Sequence, residues 1–294
     1  MARTPPPPGD RQGRVYAAGL VLGAATSIPI GAAIASTLFD EVGPAGIVFL
    51  RLLFAAAVLL ALWRSPFRGH SAAAWRLIIT FGVVVAGMNL AFYLAIDRIP
   101  LGIVTALAFT GPLAIAVWSS RKAGDIVWVV LAAAGVVLLS PGVGQSVETL
   151  GLVFALIGGA FWAAYVLTSE KVGQAFEGGH GLALAMMIGA VVMLAPGVAA
   201  GGTALLRPEV LAVGIVVALL STALPYSLEL EALRRVPSGT YGVLLSLQPA
   251  TAVVVGFIGL NQDLTPTELA AVGLIVVASA GALKNTRAPA PIEV

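Results

Sequence analysis

The sequence predicts an all-α integral membrane protein of ten transmembrane helices, arranged as two inverted five-helix repeats. Of the 294 residues, 59% are hydrophobic and 10% are charged, whereas a soluble domain carries about 25% charged residues. The mean hydropathy of +0.99 supports the same class. The two further observations are the length of the apolar runs and a motif that occurs once in each half of the chain.

Ten apolar runs are long enough to cross a bilayer. A hydrocarbon core about 30 Å thick requires ~20 apolar residues in helical conformation. The runs lack the alternating polarity of barrel strands, and most of the connections between them are short. The predicted spans are 15–36, 43–63, 76–96, 100–118, 125–142, 150–168, 181–199, 210–232, 237–258 and 267–284.

The predicted division of the chain follows from these spans. Residues 1–14 contain Pro5 to Pro8 and three Arg, and they predict a disordered cytoplasmic tail, because proline and charge cannot build a core. Residues 15–142 form the first five-helix repeat and residues 150–284 the second. Residues 285–294 are a second cytoplasmic tail.

The distribution of Lys and Arg predicts that both termini face the cytoplasm, where positive charge accumulates. With the amino terminus inside, the outer loops contain only Arg98 and Arg207, and Arg51 lies within a span. This placement explains the basic loops without a nucleic-acid partner. The cytoplasmic segments contain Arg3, Arg11, Arg14, Arg64, Arg68, Arg76, Arg121, Lys122, Lys171, Arg234, Arg235, Lys284 and Arg287.

One motif occurs twice, at an offset of 137 residues. Arg98, Pro100, Gly102, Leu107 and Pro112 recur as Arg235, Pro237, Gly239, Leu244 and Pro249. The first copy begins at the outer face and the second at the inner face, because five spans per half give the halves opposite topology. Secondary transporters use this plan, with substrate sites near the midplane at the repeat interface. The alternative is two unrelated helices that each begin with proline.

Arg51 is the first candidate for a substrate-binding residue. It lies well inside the second predicted span, about 12 Å from its start at ~1.5 Å per residue. An Arg at the bilayer centre costs about 2.5–3.5 kcal/mol on insertion scales. Arg51 is therefore either a structural residue that pairs with carbonyls or a clamp for a substrate carboxylate.

Glu229 lies near the cytoplasmic end of the eighth predicted span. As an interfacial charge it needs no function. As a functional group it would bind an ammonium group or carry a coupling proton.

Two pairs of repeat mates carry polar or helix-breaking residues at membrane depth. Asn89 and Tyr226 precede the short turn in each half, and Gly111 and Gln248 each precede a mid-span proline. Such a proline frees a carbonyl, which in a membrane must be buried or line a cavity. A simple kink is the alternative.

Two aromatic residues, Trp162 and Tyr165, lie in the middle of the sixth predicted span rather than at an interfacial belt. They line a cavity or pack in the core.

Several kinds of chemistry are excluded or not indicated. The chain has no Cys, which excludes disulfides, thiolate catalysis and iron–sulfur clusters. His70 and His180 fall in predicted loops, and the sequence shows neither a Walker loop nor an acidic metal motif. No metal, cofactor or catalytic residue is expected, and the chain is not expected to be an enzyme.

Six segments match a known family. The chain resembles the EamA type of the drug/metabolite transporter superfamily and, within it, the inner-membrane threonine/homoserine exporters of bacteria. The segments are GMNLAFYLAI (87–96), PLGI (100–103), FTGPLA (109–114), DIVWVVLA (125–132), LSTALPYSLE (220–229) and LTP (264–266).

The resemblance implies export of small amino acids or related metabolites across the inner (plasma) membrane. It implies alternating access through a central cavity and coupling to protons. An uncoupled facilitator, or an exporter of other small metabolites or drugs, is the alternative. The implied partners are a small-molecule substrate, protons and membrane lipid, and a homodimer is left open.

Carried over by position, Arg51, Asn89, Tyr93, Tyr226 and Glu229 keep the family's residue types. Two positions depart, because the family commonly has Glu where this chain has Gln248, and Gly-Glu where it has Asn261-Gln262. An amide cannot carry a proton, so Glu229 is assigned to proton coupling. The predicted substrate-binding residues are Arg51, Asn89, Tyr93, Phe109, Gly111, Trp162, Tyr165, Tyr226 and Gln248.

Overall fold

Throughout the described part of the chain the regular structure is helical. A computed structural model describes residues 11–64, 69–120, 126–138, 148–225, 228 and 244–285. Two predicted site residues, Tyr226 and Glu229, lie outside the described residues. The same is true of residues 1–10 of the predicted tail, whereas its last residues belong to the first helix, which begins at Arg11.

Ten α-helices have their bounds within the described residues. The first half contains α1 (Arg11–Ser36), α2 (Phe39–Trp63), α3 (Ala72–Ile96), α4 (Leu101–Ser120) and α5 (Ile126–Leu138). The second half contains α6 (Thr149–Ala175), α7 (His180–Gly201), α8 (Pro208–Ala218), α9 (Gln248–Leu260) and α10 (Pro266–Asn285). A 3-10 turn, Gly202–Leu206, precedes α8, and a π-helical turn, Leu219–Ala223, continues it.

Among the described residues, five helical segments are long and apolar enough to cross a membrane. They are Ala18–Ser36, Phe39–Trp63, Ala72–Ile96, Thr149–Ala175 and His180–Leu206. The shorter apolar segments are Leu101–Ile115, Ile126–Leu138, Pro208–Ala223, Gln248–Leu260 and Pro266–Gly281. The all-α membrane class is thus confirmed for the described residues, and the count of ten spans remains a prediction.

Helix ends differ from the predicted spans where polar residues or backbone breaks intervene. Within α2, Gly43 has a φ of 65° and a ψ of 164°, and the predicted start at 43 coincides with this kink. Helix α6 continues to Ala175, beyond the predicted end at 168, because backbone hydrogen bonding does not require an apolar side chain. The ninth predicted span is interrupted by a turn at Ser246 and Leu247, and α9 begins after it.

The helices of one half pack mainly on helices of the other half. Helix α2 packs along α7, and α3 packs on both α6 and α7. Helix α4 packs on α6, α9 and α10, α5 packs on α10, and α1 packs on α8 and α9. The interior of the bundle is therefore built jointly by the two halves.

At the end where α3 joins α4, polar contacts cross between the halves. Arg98 lies 3.6 Å from a Glu148 carboxylate oxygen, and the Leu101 N–H donates to Gln262 Oε1 at 3.0 Å. A further pair, Arg207 Nη1 and Glu41 Oε2, is 3.3 Å apart and joins the loop before α8 to the start of α2.

Candidate functional site

Arg51, on α2, lies inside the bundle with only 8% of its surface exposed. Within the described residues it donates three hydrogen bonds, each to a neutral acceptor. Its Nη2 donates to the Ser221 carbonyl oxygen at 2.9 Å, Nη1 to Tyr93 Oη at 3.3 Å, and Nε to Thr222 Oγ1 at 3.4 Å. The guanidinium thus joins a helix of the first half to a helix of the second.

The second-half partners of Arg51 lie on the π-helical turn Leu219–Ala223. A π-helical turn is rare, and it often occurs at functional sites. Its i→i+5 pattern alters the pairing of the helix carbonyls, and the Ser221 carbonyl is available here to a side chain. Ser221 and Thr222 are both buried.

Tyr93, on α3, is a further partner of Arg51. The tyrosine is fully buried, and its ring centroid lies 5.7 Å from Arg51 Cζ. Phe39 also packs against the Tyr93 ring, with ring centroids 5.8 Å apart. Aromatic faces attract a guanidinium, so Tyr93 both accepts a hydrogen bond from Arg51 and stabilises its charge.

No carboxylate neutralises Arg51 among the described residues, where the ion pairs involve Arg98 and Arg207. A guanidinium has five N–H donors, so one N–H on each terminal nitrogen is left without an acceptor in the described part of the chain. A buried charge without a partner is costly. Two N–H groups on one guanidinium match a carboxylate, which accepts them as a bidentate pair.

Of the repeat mates, Asn89, Gly111 and Gln248 are described, and their surroundings differ. Asn89 is buried and donates to the Val85 carbonyl of its own helix at 2.8 Å. Gln248, the first residue of α9, is 4% exposed, and its Oε1 has no hydrogen-bond partner within the described residues. Tyr226 lies outside the described residues.

Gly111 lies where α4 crosses α6. A Cβ at Gly111 would overlap the carbonyl oxygen of Gly159, so the two backbones are in direct contact. Phe109 and Trp162 meet edge to face beside this crossing, with ring centroids 4.7 Å apart. Tyr165 stacks on Phe81, with ring centroids 5.3 Å apart. These contacts give all four predicted residues a packing role.

Sequence reasoning missed Ser221 and Thr222 as partners of Arg51. The available signal was a pair of small polar residues in an otherwise apolar run, within the LSTALPYSLE segment. It also left Gln262 without a role, whereas the structure uses its side chain to accept from the first N–H of α4.

The sequence of this chain is similar to those of known membrane transporters. The sequence profile of the EamA-like transporter family matches residues 149–283. The "Threonine/homoserine exporter RhtA" of Escherichia coli (strain K12) is 43% identical over 278 residues, which are 93% of each chain. The chain belongs to the EamA-like transporter family. The resemblance that the motifs indicate is confirmed, and this EamA-like protein is a membrane transporter rather than an enzyme.

Other relatives of this EamA-like transporter span similar lengths. The "Threonine/homoserine exporter RhtA" of Salmonella typhimurium (strain LT2) is 42% identical over 91% of each chain. The "Uncharacterized transporter YwfM" of Bacillus subtilis (strain 168) is 27% identical over 81% of this chain and 85% of its own. A solved crystal structure with 18% identity superimposes with a TM-score of 0.56, over 89% of this chain and 95% of the other, and shows the fold alone.

Proposed function

We propose that this EamA-like transporter is a secondary exporter of small amino acids of the threonine and homoserine class, and that Arg51 binds the substrate carboxylate. The observation that carries the proposal is a buried guanidinium, contacted by both halves, whose acceptors are all neutral within the described residues. Relatives that carry the exporter name at 43% and 42% identity support the substrate class.

The proposed architecture is ten spans in two inverted five-helix repeats. Exchange of the halves would turn the contact between α3 and α6 into one between α8 and α1, and that contact is present. In the same way, the contact of α4 with α6 has its counterpart in that of α9 with α1, and that of α3 with α7 in that of α8 with α2. This pairing supports a twofold relation between the halves, although the shorter apolar helices alone would not predict it.

The proposed binding step uses the two unoccupied N–H groups of Arg51. A small amino acid entering between the halves would place its carboxylate against them and neutralise the buried charge. Because α2 and α8 belong to different halves, a bound carboxylate would act on both. Binding can change the balance between inward-open and outward-open states only if affinity differs between them, and we propose that the contacts of Arg51 with both halves supply this difference.

The rest of the proposed binding set surrounds this anchor. Gln248 supplies a buried carbonyl oxygen without a described partner, which would accept from a substrate ammonium or hydroxyl group. Tyr93 orients Arg51 directly. The remaining proposed residues are Asn89, Phe109, Gly111, Trp162, Tyr165 and Tyr226.

Proton coupling is proposed through Glu229, the acid that remains at membrane depth when Gln248 and Gln262 replace the family's carboxylates. A carboxylate that holds either a proton or the substrate ammonium couples the two fluxes by competition. Glu229→Gln should abolish gradient-driven accumulation and leave counterflow exchange largely intact. Unchanged gradient-driven uptake would remove Glu229 from the coupling.

The proposed orientation places both termini in the cytoplasm and the chain in the inner membrane, in contact with lipid. A cytoplasm-active reporter and a periplasm-active reporter, each fused to the carboxyl terminus, test it. We expect signal from the cytoplasmic reporter alone. Signal from the periplasmic reporter alone would reverse the topology.

The function itself is tested with radiolabelled L-threonine and L-homoserine in inside-out vesicles, with and without an imposed proton gradient. Accumulation that requires the gradient supports a proton-linked exporter. Equilibration that ignores the gradient would identify a facilitator, the alternative that the amides Gln248 and Gln262 favour. Vesicles that contain the folded protein and take up no more threonine or homoserine than empty vesicles would reject this substrate class.

A further inference from the structure

Two consecutive residues of the π-helical turn Leu219–Ala223 hold Arg51 from the same side. We propose that this turn is a positioning element, which fixes the Arg51 guanidinium so that its remaining N–H groups face the substrate carboxylate. Thr222 is then a positioning residue for substrate binding. The inference rests on the proposed role of Arg51 as the carboxylate anchor.

The chemistry of the guanidinium explains why the turn selects an orientation. The group is planar and rigid, and its Nε–H and one Nη2 N–H point from the same edge. These are the two nitrogens that contact Thr222 Oγ1 and the Ser221 carbonyl, at 3.4 Å and 2.9 Å. With that edge occupied and Tyr93 Oη accepting from Nη1, one N–H of Nη1 and one of Nη2 remain for a carboxylate.

Helix α1 holds the π-helical turn in place. Ser27 Oγ donates to the Leu220 carbonyl at 2.6 Å. Leu220 directly precedes Ser221, whose carbonyl accepts from Arg51. Gly31 lies directly against Ser221, and a Cβ at Gly31 would overlap the Ser221 hydroxyl. Helix α1 therefore holds the turn through Leu220 and Ser221. The same turn offers the Ser221 carbonyl and the Thr222 hydroxyl to Arg51.

A positioning element suits an Arg in this place. Arg has a long side chain with many rotamers, and recognition of a carboxylate by two hydrogen bonds requires one plane and one direction. The equivalent stretch of the first half, residues 82–86, lies within the continuous helix α3. Within the described residues, a π-helical turn therefore occurs at this position in the second half only, where it contacts Arg51.

The test uses matched variants of the full chain and the KM for labelled L-threonine in vesicles. Thr222→Val keeps the shape of the side chain and removes its hydroxyl, whereas Thr222→Ser keeps the hydroxyl. Thr105→Val is the control, because Thr105 is equally buried and its hydroxyl donates to its own helix at the Leu101 carbonyl. Ser27→Ala removes the anchor of the turn and serves if Thr222→Val does not accumulate as folded protein.

We expect Thr222→Val to raise the KM about twofold to tenfold, the range for loss of one hydrogen bond, with little change in maximal rate. Thr222→Ser should stay within about twofold of wild type, Thr105→Val should match wild type, and Ser27→Ala should raise the KM by about twofold. An unchanged KM for Thr222→Val, or an equal rise for Thr105→Val, would overturn the positioning role.

A parallel measurement on Arg51→Lys separates this inference from the proposed function. If Arg51→Lys raises the KM and Thr222→Val does not, the carboxylate anchor stands and the positioning role fails. If Arg51→Lys transports with the wild-type KM, the anchor itself fails, and the positioning role fails with it.

Discussion

The pair α3–α4 and its repeat equivalent, α8–α9, have different backbones at described positions that the repeat relates. Pro112 lies within the continuous helix α4, whereas Pro249 lies in the first turn of α9, after a break at Ser246 and Leu247. Helix α3 is regular, whereas α8 passes into a π-helical turn. The same proline at the same offset therefore does not impose the same backbone.

Polar side chains follow this difference. In the first half, Asn89, Thr105 and Thr110 each donate to a carbonyl of their own helix. In the second half, Ser221 Oγ and Gln248 Oε1 are buried without a partner in the described residues. These three side chains of the regular pair are thus satisfied within their own helices, whereas two polar atoms of the interrupted pair have no partner among the described residues. Interrupted helices carry the substrate sites of many secondary transporters, so the second half is expected to supply much of the polar recognition.

The largest effect is expected when the repeat mates Gly111 and Gln248 are exchanged one at a time. Gly111→Gln places a long side chain into the contact with Gly159 and should destabilise the fold by about 3 kcal/mol or more. Gln248→Gly removes a side chain whose oxygen has no described partner and should still fold. Thermal unfolding in detergent measures both, with Gly273→Ala as the control, since open space surrounds Gly273. Equal stability of the two exchanged variants would contradict the proposed difference in packing between Gly111 and Gln248.

A smaller effect is expected on substrate binding when the polar mates of the two halves are compared. Gln248→Leu should raise the KM for threonine about fivefold to tenfold, because an available acceptor is lost. Asn89→Leu should change it by less than about threefold, because the Asn89 amide already donates to Val85. Uptake in vesicles measures both, and a larger effect at Asn89 would assign recognition to the first half instead.

The smallest effect is expected at Gln262, which joins the second half to the start of the regular helix α4. Gln262→Leu leaves the Leu101 N–H without its acceptor and should cost about 1 kcal/mol, as loss of a helix cap does. Gln262→Glu keeps an acceptor and places a negative charge at a helix amino terminus, which is favourable. Thermal unfolding should therefore rank Gln262→Glu above Gln262→Leu, and the reverse order would contradict a capping role.

Sequence reasoning located the helices better than it located their irregularities. Apolar runs predict α2, α3 and α7 closely, because burial in lipid is encoded residue by residue. The π-helical turn was not predicted, since it depends on contacts with Arg51 and Ser27 from distant helices. The role of Gly111 could not be predicted for a different reason. A glycine before a proline can lie at a helix crossing or beside a cavity, and the sequence is the same in both cases.

For the site, the sequence predicts Arg51 and Tyr93, which are in contact in the structure, but not the other partners of Arg51, Ser221 and Thr222. Arg51 is conspicuous because a cation in an apolar run has few structural explanations. Ser221 and Thr222 do not stand out in the sequence in this way. Small hydroxyl side chains are common in membrane helices, where they donate hydrogen bonds to the backbone of their own helix. The use of Gln262 as a cap could not be predicted, because it requires α9 and α4 to meet at one end of the bundle.

Competition by an analogue without a carboxylate tests most directly whether Arg51 is the substrate anchor. Uptake of labelled L-threonine is measured in vesicles of wild type and Arg51→Lys, with unlabelled threonine or threoninamide as competitor. Lysine keeps the charge and loses the planar fork. The concentration of unlabelled threonine that halves uptake should therefore be about tenfold higher for Arg51→Lys than for wild type. Threoninamide should compete weakly and equally against both. A threoninamide that competes as well as threonine against wild type, or a threonine affinity unaltered by Arg51→Lys, would contradict the assignment of Arg51 as the carboxylate anchor.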